Sequence, residues 1–293
     1  MKLNQLKTWA LMSMGCLLSS SVLALEVKGT LAQGAWVQLK VEPNSKIEFE
    51  KRRFTADSEG LALIAFSRDA QPNVRLTVTP PNGQTQQHEL KVAQRDYQIQ
   101  RINGLPSKHV TPDEATLKKI RADAQKAAQA RKVYLNMPYF QNGFDWPAEG
   151  WITGVYGSQR ILNGHARAPH MGVDIASKTG TPIYAPASGQ ITLAESMELS
   201  GNTIFIDHGY GLRSGFMHLE DMLVKEGEVV ERGQLVATMG ATGRATGPHL
   251  HWGMSWFNVR LDPALMFQLP RDLISGDKIV SNQVVFDETQ ARN

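Results

Sequence analysis

Cysteine is almost absent from this chain. Among its 293 residues only Cys16 carries a thiol, and it lies in an amino-terminal segment that we expect to be removed. The rest of the chain then forms no disulfide and offers no thiolate ligand. Any metal site in it must therefore be built from His, Asp or Glu.

Excess charge and long apolar runs are also scarce. The formal net charge is +3, and it falls to +1 (3 minus 2) when Lys2 and Lys7 are removed with the leader. That excess is too weak to favour nucleic acid or an anionic membrane surface as a partner. No apolar run reaches the roughly 20 residues that a spanning helix needs, so stable membrane insertion is not expected.

The first 24 residues are typical of a secretory signal peptide. MKLNQLKTWALMSMGCLLSSSVLA has a short Lys-bearing start, an apolar run and small residues that end at Ala24. We therefore expect export across the inner membrane, with the periplasm as the destination. A lipid anchor on Cys16 is the less favoured alternative, because Ser13 stands where such signals usually carry a large apolar residue.

The length predicts two domains, since it exceeds what one core usually supports. Residues 25–105 alternate polar and apolar side chains, as in WVQLKV (36–41), with turn signals near Asn44, Gly60 and Gly83. Short strands at regular spacing with such turns predict a small antiparallel β domain.

A connecting helix is expected within residues 106–132. Thr111 suits the N-cap, Pro112 suits the first helical position and Glu114 completes a capping box, so the helix should run from Pro112 to about Lys132. Its apolar stripe is thin and consists of Leu117, Ile120, Ala124 and Ala128. A solvated connector between domains is favoured over a dimerising helix.

Residues 133–270 should form a second domain that is mainly β, followed by a tail (271–293) without a chemical signal. The domain opens with an aromatic segment, YLNMPYFQNGFDWPAEGW, for which a core role is favoured over substrate subsites or a plug over a groove. Strands and glycine turns follow, including a hairpin-like stretch at Val224–Gly240 with turns at residues 226–227 and 232–233.

Two histidines stand one residue apart in GPHLHWG (247–253). On an extended strand, side chains at i and i+2 leave the same face, so His249 and His251 should face one target while Leu250 and Trp252 point the other way. Alone, such a pair is more often a hydrogen-bonded surface or core feature.

A second dense spot is APHMGVDIA (168–176), where His170 and Asp174 would share a face and Gly172 leaves room between them. A fully extended path would separate their Cα atoms by roughly 13 Å, too far for two ligands of one ion. We therefore predict a bend near Gly172.

Together the two spots offer the nitrogen and carboxylate ligands that zinc prefers. Structural zinc sites usually close with four ligands, whereas three protein ligands with an open position for water indicate catalysis. His218 and one histidine of the 249/251 pair are candidates for proton transfer or oxyanion stabilisation. The remaining histidines are interpreted as polar turn or surface residues: His88, His109, His165 and His208.

Three motifs in order, HMGVDIA, HGYGLRSGFMHL and ATGRATGPHLHWGM, resemble those of the lysostaphin-type (LytM-like) zinc metallopeptidases, which cut peptide cross-links of bacterial peptidoglycan. The resemblance covers residues 157–267. It implies an antiparallel β-sheet groove with barrel-sandwich-like hairpins. It also implies a ligand set and two non-ligand catalytic histidines: zinc on His170, Asp174 and His251, with His218 and His249 beside it.

The resemblance implies an exported zinc endopeptidase that acts on peptidoglycan stem peptides. The alternative is a non-catalytic groove protein that binds and activates a cell-wall amidase, although such relatives have generally lost metal ligands. One departure is Phe216-Met217, where relatives often carry Tyr-Ala, which puts the local substrate wall in question. The aromatic segment motivates a further hypothesis, that residues 25–150 cover the groove and hold the enzyme inactive.

Overall fold

The computed structural model describes residues 25–102, 113–162, 165–166, 168–269 and 272–287. The predicted signal peptide lies outside these residues, as do His109, Thr111, Pro112 and the side chain of His165. Within the described residues no helix is both long enough and apolar enough to cross a membrane.

The amino-terminal part consists of short strands, which are antiparallel in its two sheets as predicted, whereas the last of them pairs in parallel with a strand of the second part. In chain order they are β1 (Glu26–Gly29), β2 (Trp36–Lys40), β3 (Lys46–Phe49), β4 (Arg52–Thr55), β5 (Leu61–Ala65), β6 (Asn73–Thr79), β7 (Gln86–Lys91) and β8 (Ile99–Ile102). They form one sheet in the order β1-β2-β5 and another in the order β4-β3-β6-β7. Turns fall at residues 43–44, 58–60 and 81–83, close to the predicted positions.

The helix α1 spans Glu114–Ala130, inside the predicted range. Its N-cap is Asp113, whose side chain accepts a hydrogen bond from the Thr116 backbone N–H at 2.7 Å. The predicted capping box on Thr111 and Glu114 was therefore wrong. An aspartate nearer to the first turn takes the cap, and its carboxylate also suits the positive end of the helix dipole.

Helix α1 is docked on the large sheet of the second part and is not a solvated connector. Its buried residues Ala127 and Ala130 form a small cluster with Leu193, Met197 and Phe205. The predicted Ala124 and Ala128 are exposed. Lys126 adds an ion pair to Glu195 at 2.9 Å, which is worth little by itself because both groups are solvated.

The second part is dominated by a 12-stranded sheet. Its strands are β9 (Gly150–Gly154), β12 (Val173–Ala176), β13 (Pro182–Tyr184), β14 (Gly189–Met197), β15 (Gly201–Gly209), β16 (Leu212–Met222), β17 (Val229–Val230), β18 (Leu235–Met239), β19 (His249–Trp256), β20 (Val259–Leu261), β21 (Lys278–Val280) and β22 (Gln283–Val285). The main path runs β17-β14-β15-β16-β19-β12-β9-β21-β22. A small separate sheet joins β8 to β10 (Gln159–Leu162) and β11 (His165–Ala166).

The two predicted domains share one continuous hydrophobic core. Phe49 and Phe54 both pack edge-on against Trp256 of β19. The Tyr210 hydroxyl donates a hydrogen bond to the Asp57 carboxylate at 2.6 Å. The amino-terminal sheets are therefore packed firmly against the 12-stranded sheet.

The tail is also part of the sheet, which the sequence did not predict. Strand β21 pairs with β9, with Lys278 opposite Trp151, and β22 pairs with β21. The hairpin therefore extends the 12-stranded sheet by two strands beyond β9.

The middle of the aromatic segment serves the core, whereas Tyr134 and Trp151 at its two ends are exposed. Phe140 and Trp146 are buried, and Trp146 stacks on Phe267 with ring centroids 4.5 Å apart and packs edge-on against Trp252. Trp252 lies on the face of β19 opposite His249 and His251. These contacts give no support to the hypothesis that this segment covers the groove.

A buried ion pair joins the two parts and generates a first prediction. Arg95 Nη1 lies 2.8 Å from Asp262 Oδ2, with side-chain exposures of 18% and 4%. Burial raises the pKa of Asp262, and the Arg95 charge opposes this shift. Replacing Arg95 by Met leaves a buried carboxylate without its cation, so the free energy of unfolding in urea should fall by about 3 kcal/mol at neutral pH.

The loss should depend on pH. A carboxyl whose pKa is higher in the folded than in the unfolded protein destabilises the fold as the pH rises, so the deficit of Arg95→Met should shrink between about pH 7 and about pH 4. Arg53→Ala is the control, because its pair with Glu48 is exposed and should contribute less than about 1 kcal/mol. Equal losses in both variants would contradict the prediction.

Candidate metal centre and active site

The pairing of β12 with β19 brings the two predicted spots together. Asp174 is opposite His251, and Ala176 is opposite His249. The alternate residues Leu250 and Trp252 are fully buried on the core side. Because directly opposite residues point to the same face, His249, His251 and Asp174 share the open face of the sheet.

His170 joins them from the loop before β12. The chain bends at Gly172 and the strand begins only at Val173, which confirms the predicted bend. As a result His170 Nε2 lies 2.9 Å from Asp174 Oδ1. The extended path that would have kept the two side chains apart is not adopted.

Three ligand atoms therefore converge, one from each predicted metal ligand. His251 Nδ1 is 2.7 Å from Asp174 Oδ1 and 3.0 Å from His170 Nε2. Among the described residues these three form the group whose donor atoms could hold a metal ion. His170 and Asp174 are buried and His251 is partly buried.

The chemistry of this donor set fits a cation. His170 Nδ1 lies 3.0 Å from the Val155 carbonyl oxygen, which can only accept, so this nitrogen carries the proton and Nε2 presents a lone pair. His170 Nε2 and Asp174 Oδ1 are then both acceptors at hydrogen-bond distance, so they need a proton or a cation between them. Either a proton on His251 Nδ1 or a metal ion can serve. A backbone carbonyl behind a histidine is also the usual support of a zinc ligand.

Burial and charge act against each other at Asp174. Burial alone would raise its pKa, but the hydrogen bonds and charges of His170 and His251 hold the pKa well below its ordinary value. The carboxylate is thus ionised and suited to bind a cation.

Two glycines leave the space that this cluster occupies. A Cβ on Gly154 would lie 2.5 Å from Asp174 Oδ2, and a Cβ on Gly172 would lie 2.9 Å from His251 Nε2 and 2.5 Å from the Trp252 carbonyl oxygen. No side chain fits at either position without displacing a ligand. The sequence indicated Gly172 through its place in HMGVDIA, but it offered no signal for Gly154.

His218 reaches the site through a β-bulge. Asn202 of β15 pairs with Leu219 of β16, and Ile204 pairs with Phe216. The one residue between them on β15, Thr203, is therefore opposite two residues of β16, Met217 and His218. His218 has φ of 63°, an uncommon conformation for a residue with a side chain. Bulges re-aim side chains, and this one brings the His218 ring to 4.7 Å from the ring of His249, centroid to centroid.

Both of these histidines have their protons placed by backbone carbonyls. His218 Nδ1 lies 2.8 Å from the Thr242 oxygen and His249 Nδ1 lies 2.9 Å from the Gly247 oxygen. Each must therefore donate from Nδ1 and keep its lone pair on Nε2. Burial lowers the pKa of His218 to about 4, and the nearby His249 and His251 add to this shift, so its imidazole is neutral at physiological pH.

Two other expectations need correction. Phe216 is fully buried, so its part of the Phe216-Met217 departure affects the core, whereas Met217 is half-buried and stands opposite His251 on the open face, where the expectation about a substrate wall still applies. His208, predicted as a turn or surface residue, is fully buried and hydrogen-bonds to the Ser188 carbonyl and the Ser214 hydroxyl. Its burial lowers its pKa to about 4, and it lies outside the cluster of candidate ligands.

The amino-terminal part holds the loop that carries His170. Gly157 donates its N–H to the His170 carbonyl oxygen at 2.7 Å, and His170 N–H donates to the Ser158 oxygen at 2.9 Å. Arg68 Nε donates to the Gly157 oxygen at 2.9 Å, and the Tyr97 ring lies against Gly157 where a side chain would be. Arg68 also stacks over Tyr97, 4.2 Å from the ring centroid.

Comparison with known proteins shows that the site lies in a region that matches a peptidase family. Residues 168–263 match the model of peptidase family M23. Peptidoglycan DD-endopeptidase ShyB of Vibrio cholerae is 39% identical over 115 residues, which is 39% of this chain and 26% of that protein. ShyA, a DD-endopeptidase from the same organism, is 42% identical over 29% of this chain and 20% of its own length. The aligned part thus spans about a quarter or less of these relatives.

A solved structure extends the likeness beyond this domain. A peptidase M23 from Pseudomonas aeruginosa matches with a TM-score of 0.64 and 28% identity, over 81% of this chain and 95% of that one. The match therefore extends well beyond the family region.

The space left by Gly154 gives a prediction about metal binding. In Gly154→Ala the new methyl group should displace Asp174 and weaken zinc binding at least tenfold, as measured by competition with a chromogenic chelator. The control is Gly247→Ala, where the added Cβ meets nothing within 4 Å and zinc affinity should be unchanged. Equal affinity in the two variants would contradict a metal site at these residues.

The Arg68 contact gives a second prediction. Arg68→Ala should loosen the loop of His170 and weaken zinc binding several-fold, because outer contacts orient the ligands of a metal. Tyr210→Phe removes a different contact between the same two parts, the hydrogen bond to Asp57, and should leave zinc affinity unchanged. If both variants lose affinity equally, the effect is one of general domain packing and not of loop positioning.

Proposed function

The chain carries a peptidase family M23 domain over residues 168–263, and from this premise we propose that it is a zinc-dependent endopeptidase that hydrolyses peptide cross-links of bacterial peptidoglycan. The observation that carries the proposal is the convergence of His170, Asp174 and His251 within hydrogen-bond distance on one sheet face. The relatives named DD-endopeptidase favour the D,D cross-link as the bond cut.

In this proposal His170, Asp174 and His251 hold the zinc ion. Zinc at such a site supplies Lewis acidity, which polarises a carbonyl and makes water a nucleophile at neutral pH. The three side chains are held by different elements, a loop and two paired strands. The register of these strands therefore fixes two of the ligands, and the bend at Gly172 positions the third.

His249 and His218 carry out the proton transfers of the reaction. Each donates from Nδ1 to a carbonyl, so each can accept a proton at Nε2 and return it there. A neutral imidazole with a fixed Nδ1 proton is suited to act as a general base and then as a general acid toward the leaving amine. The protonated ring can also stabilise oxyanion charge while the peptide bond breaks.

We also propose that the protein is exported across the inner membrane. The pattern of residues 1–24 supports it, and the periplasm is where peptidoglycan peptides would be met. Amino-terminal sequencing of the protein recovered from a periplasmic fraction tests this, and a mature chain that begins at Leu25 is the expected result.

The activity itself is tested with purified protein and isolated sacculi. In the presence of zinc the protein should hydrolyse the peptide cross-links of the sacculi, and mass spectrometry should detect the peptides released by this cleavage. His170→Ala should lose both zinc and activity. His249→Ala should retain zinc but lose at least a hundredfold in rate, as expected for the loss of an acid–base group.

The matched control is His88→Ala, which changes a histidine of the amino-terminal sheet and should remain active. If the wild-type protein purifies without stoichiometric zinc and releases no peptide, but stimulates an added wall amidase, the non-catalytic alternative replaces this proposal.

A further inference from the structure

The open face of the sheet continues beyond the candidate active site. His249 is opposite Ala176 of β12, Ala176 is opposite Trp151 of β9, and Trp151 is opposite Lys278 of β21. Opposite residues in neighbouring strands share a face. Together they form one row from the candidate catalytic histidine toward the sheet edge, which we call the Trp151 row.

Burial confirms which side of the sheet the row occupies. Along the first part of β9, Gly150 and Ile152 are buried while Trp151 between them is exposed. Ile152 is opposite Ile175 on the core side. Trp151 therefore stands on the face of Asp174 and the histidines, and 53% of it is accessible to solvent.

The row ends in an aromatic and a cationic side chain, Trp151 and Lys278. Ala176 has the smallest side chain of the row, so little stands between His249 and Trp151. With strands about 4.8 Å apart, Trp151 lies about 10 Å and Lys278 about 14 Å from His249. That is the span of about three to four residues of extended peptide.

Lys278 is held over the indole of Trp151. Its Nζ lies 4.9 Å from the ring centroid, within the range of a cation–π contact. This contact orients the ammonium group along the open face.

We propose that Trp151 and Lys278 form a binding subsite for a carboxylate-bearing arm of the peptide substrate. The ammonium pairs with the carboxylate, and the exposed indole packs against the neighbouring peptide plane and aliphatic carbons. The inference rests on the proposed function, since it takes the substrate to be a peptidoglycan stem peptide, which carries free carboxylates.

Both residues lie outside the part of the chain that matches the family model. Trp151 and Lys278 lie on either side of residues 168–263, the part that matches the family model. Lys278 comes from the carboxy-terminal hairpin β21-β22, which pairs onto β9. The subsite therefore uses strands added at one edge of the catalytic sheet.

Binding is tested directly with the sugar-free stem tetrapeptide and with the same peptide in which the carboxylates are amidated. In calorimetric titrations the full protein should bind the free-acid peptide at least fivefold more tightly than the amidated one. Lys278→Met removes the charge but keeps an unbranched side chain over the indole, and it should abolish this preference. Trp151→Ala should weaken the binding of both peptides, and Trp151→Phe should restore part of it.

Kinetics with a cross-linked, sugar-free peptide dimer provide the second measurement. Lys278→Met and Trp151→Ala should each raise KM five- to tenfold and change kcat less than twofold, because both residues bind at a distance from the bond that is cut. Lys126→Met on helix α1 is the matched control, and it should change neither constant. Equal urea midpoints for all variants exclude misfolding as the cause.

The outcomes separate the subsite from the function. If the wild type cleaves the dimer but neither variant changes KM or binding, the subsite is overturned and the function stands. If Trp151→Ala matters only for sugar-bearing substrates, the indole binds glycan and the proposal is likewise overturned. If no cleavage occurs but the tetrapeptide binds and Lys278→Met loses the carboxylate preference, the subsite stands and the enzymatic function fails.

Discussion

The antiparallel pairing of β12 with β19 is the constraint on which the rest of the site depends. It sets Asp174 opposite His251 and Ala176 opposite His249, so one register decides both the metal ligands and a candidate proton carrier. A slip of one residue would turn every one of these side chains to the opposite face. The buried Leu250 and Trp252 oppose such a slip, because it would expose them. Core packing thus stabilises the strand register that places the candidate site residues on the open face.

Much of this face could be predicted from the sequence. Strand geometry alone predicted that the two histidines of HLH share a face and that the chain bends at the glycine of HMGVD. The resemblance then identified which of these residues are candidate metal ligands. The bulge at His218 could not be predicted in this way, because its cause is a mismatch in length between β15 and β16. The role of Gly154 was equally hidden, since the contact with Asp174 joins residues on different strands.

The domain boundaries were predicted less well, and the reason is physical. Alternating patterns predicted the amino-terminal strands, but they do not show which apolar residues a second part of the chain will cover. Trp256, Phe49 and Phe54 form one aromatic contact across the predicted boundary. The polar helix α1 buries two alanines and not its larger residues. In each case a long-range contact, absent from any local window of sequence, decided the outcome.

The pairing of β21 with β9 has a consequence for the architecture of the catalytic unit. β9 is the first strand of that sheet in chain order and β21 opens its last hairpin, so the two ends of the sheet lie near each other. A module whose ends are adjacent can be inserted into a surface loop of another protein, or rejoined and opened elsewhere, with little stretching of its connections. The hairpin β21-β22 therefore brings the end of the sheet back beside its first strand, while the packing of Phe49 and Phe54 on Trp256 ties the sheet to the amino-terminal part.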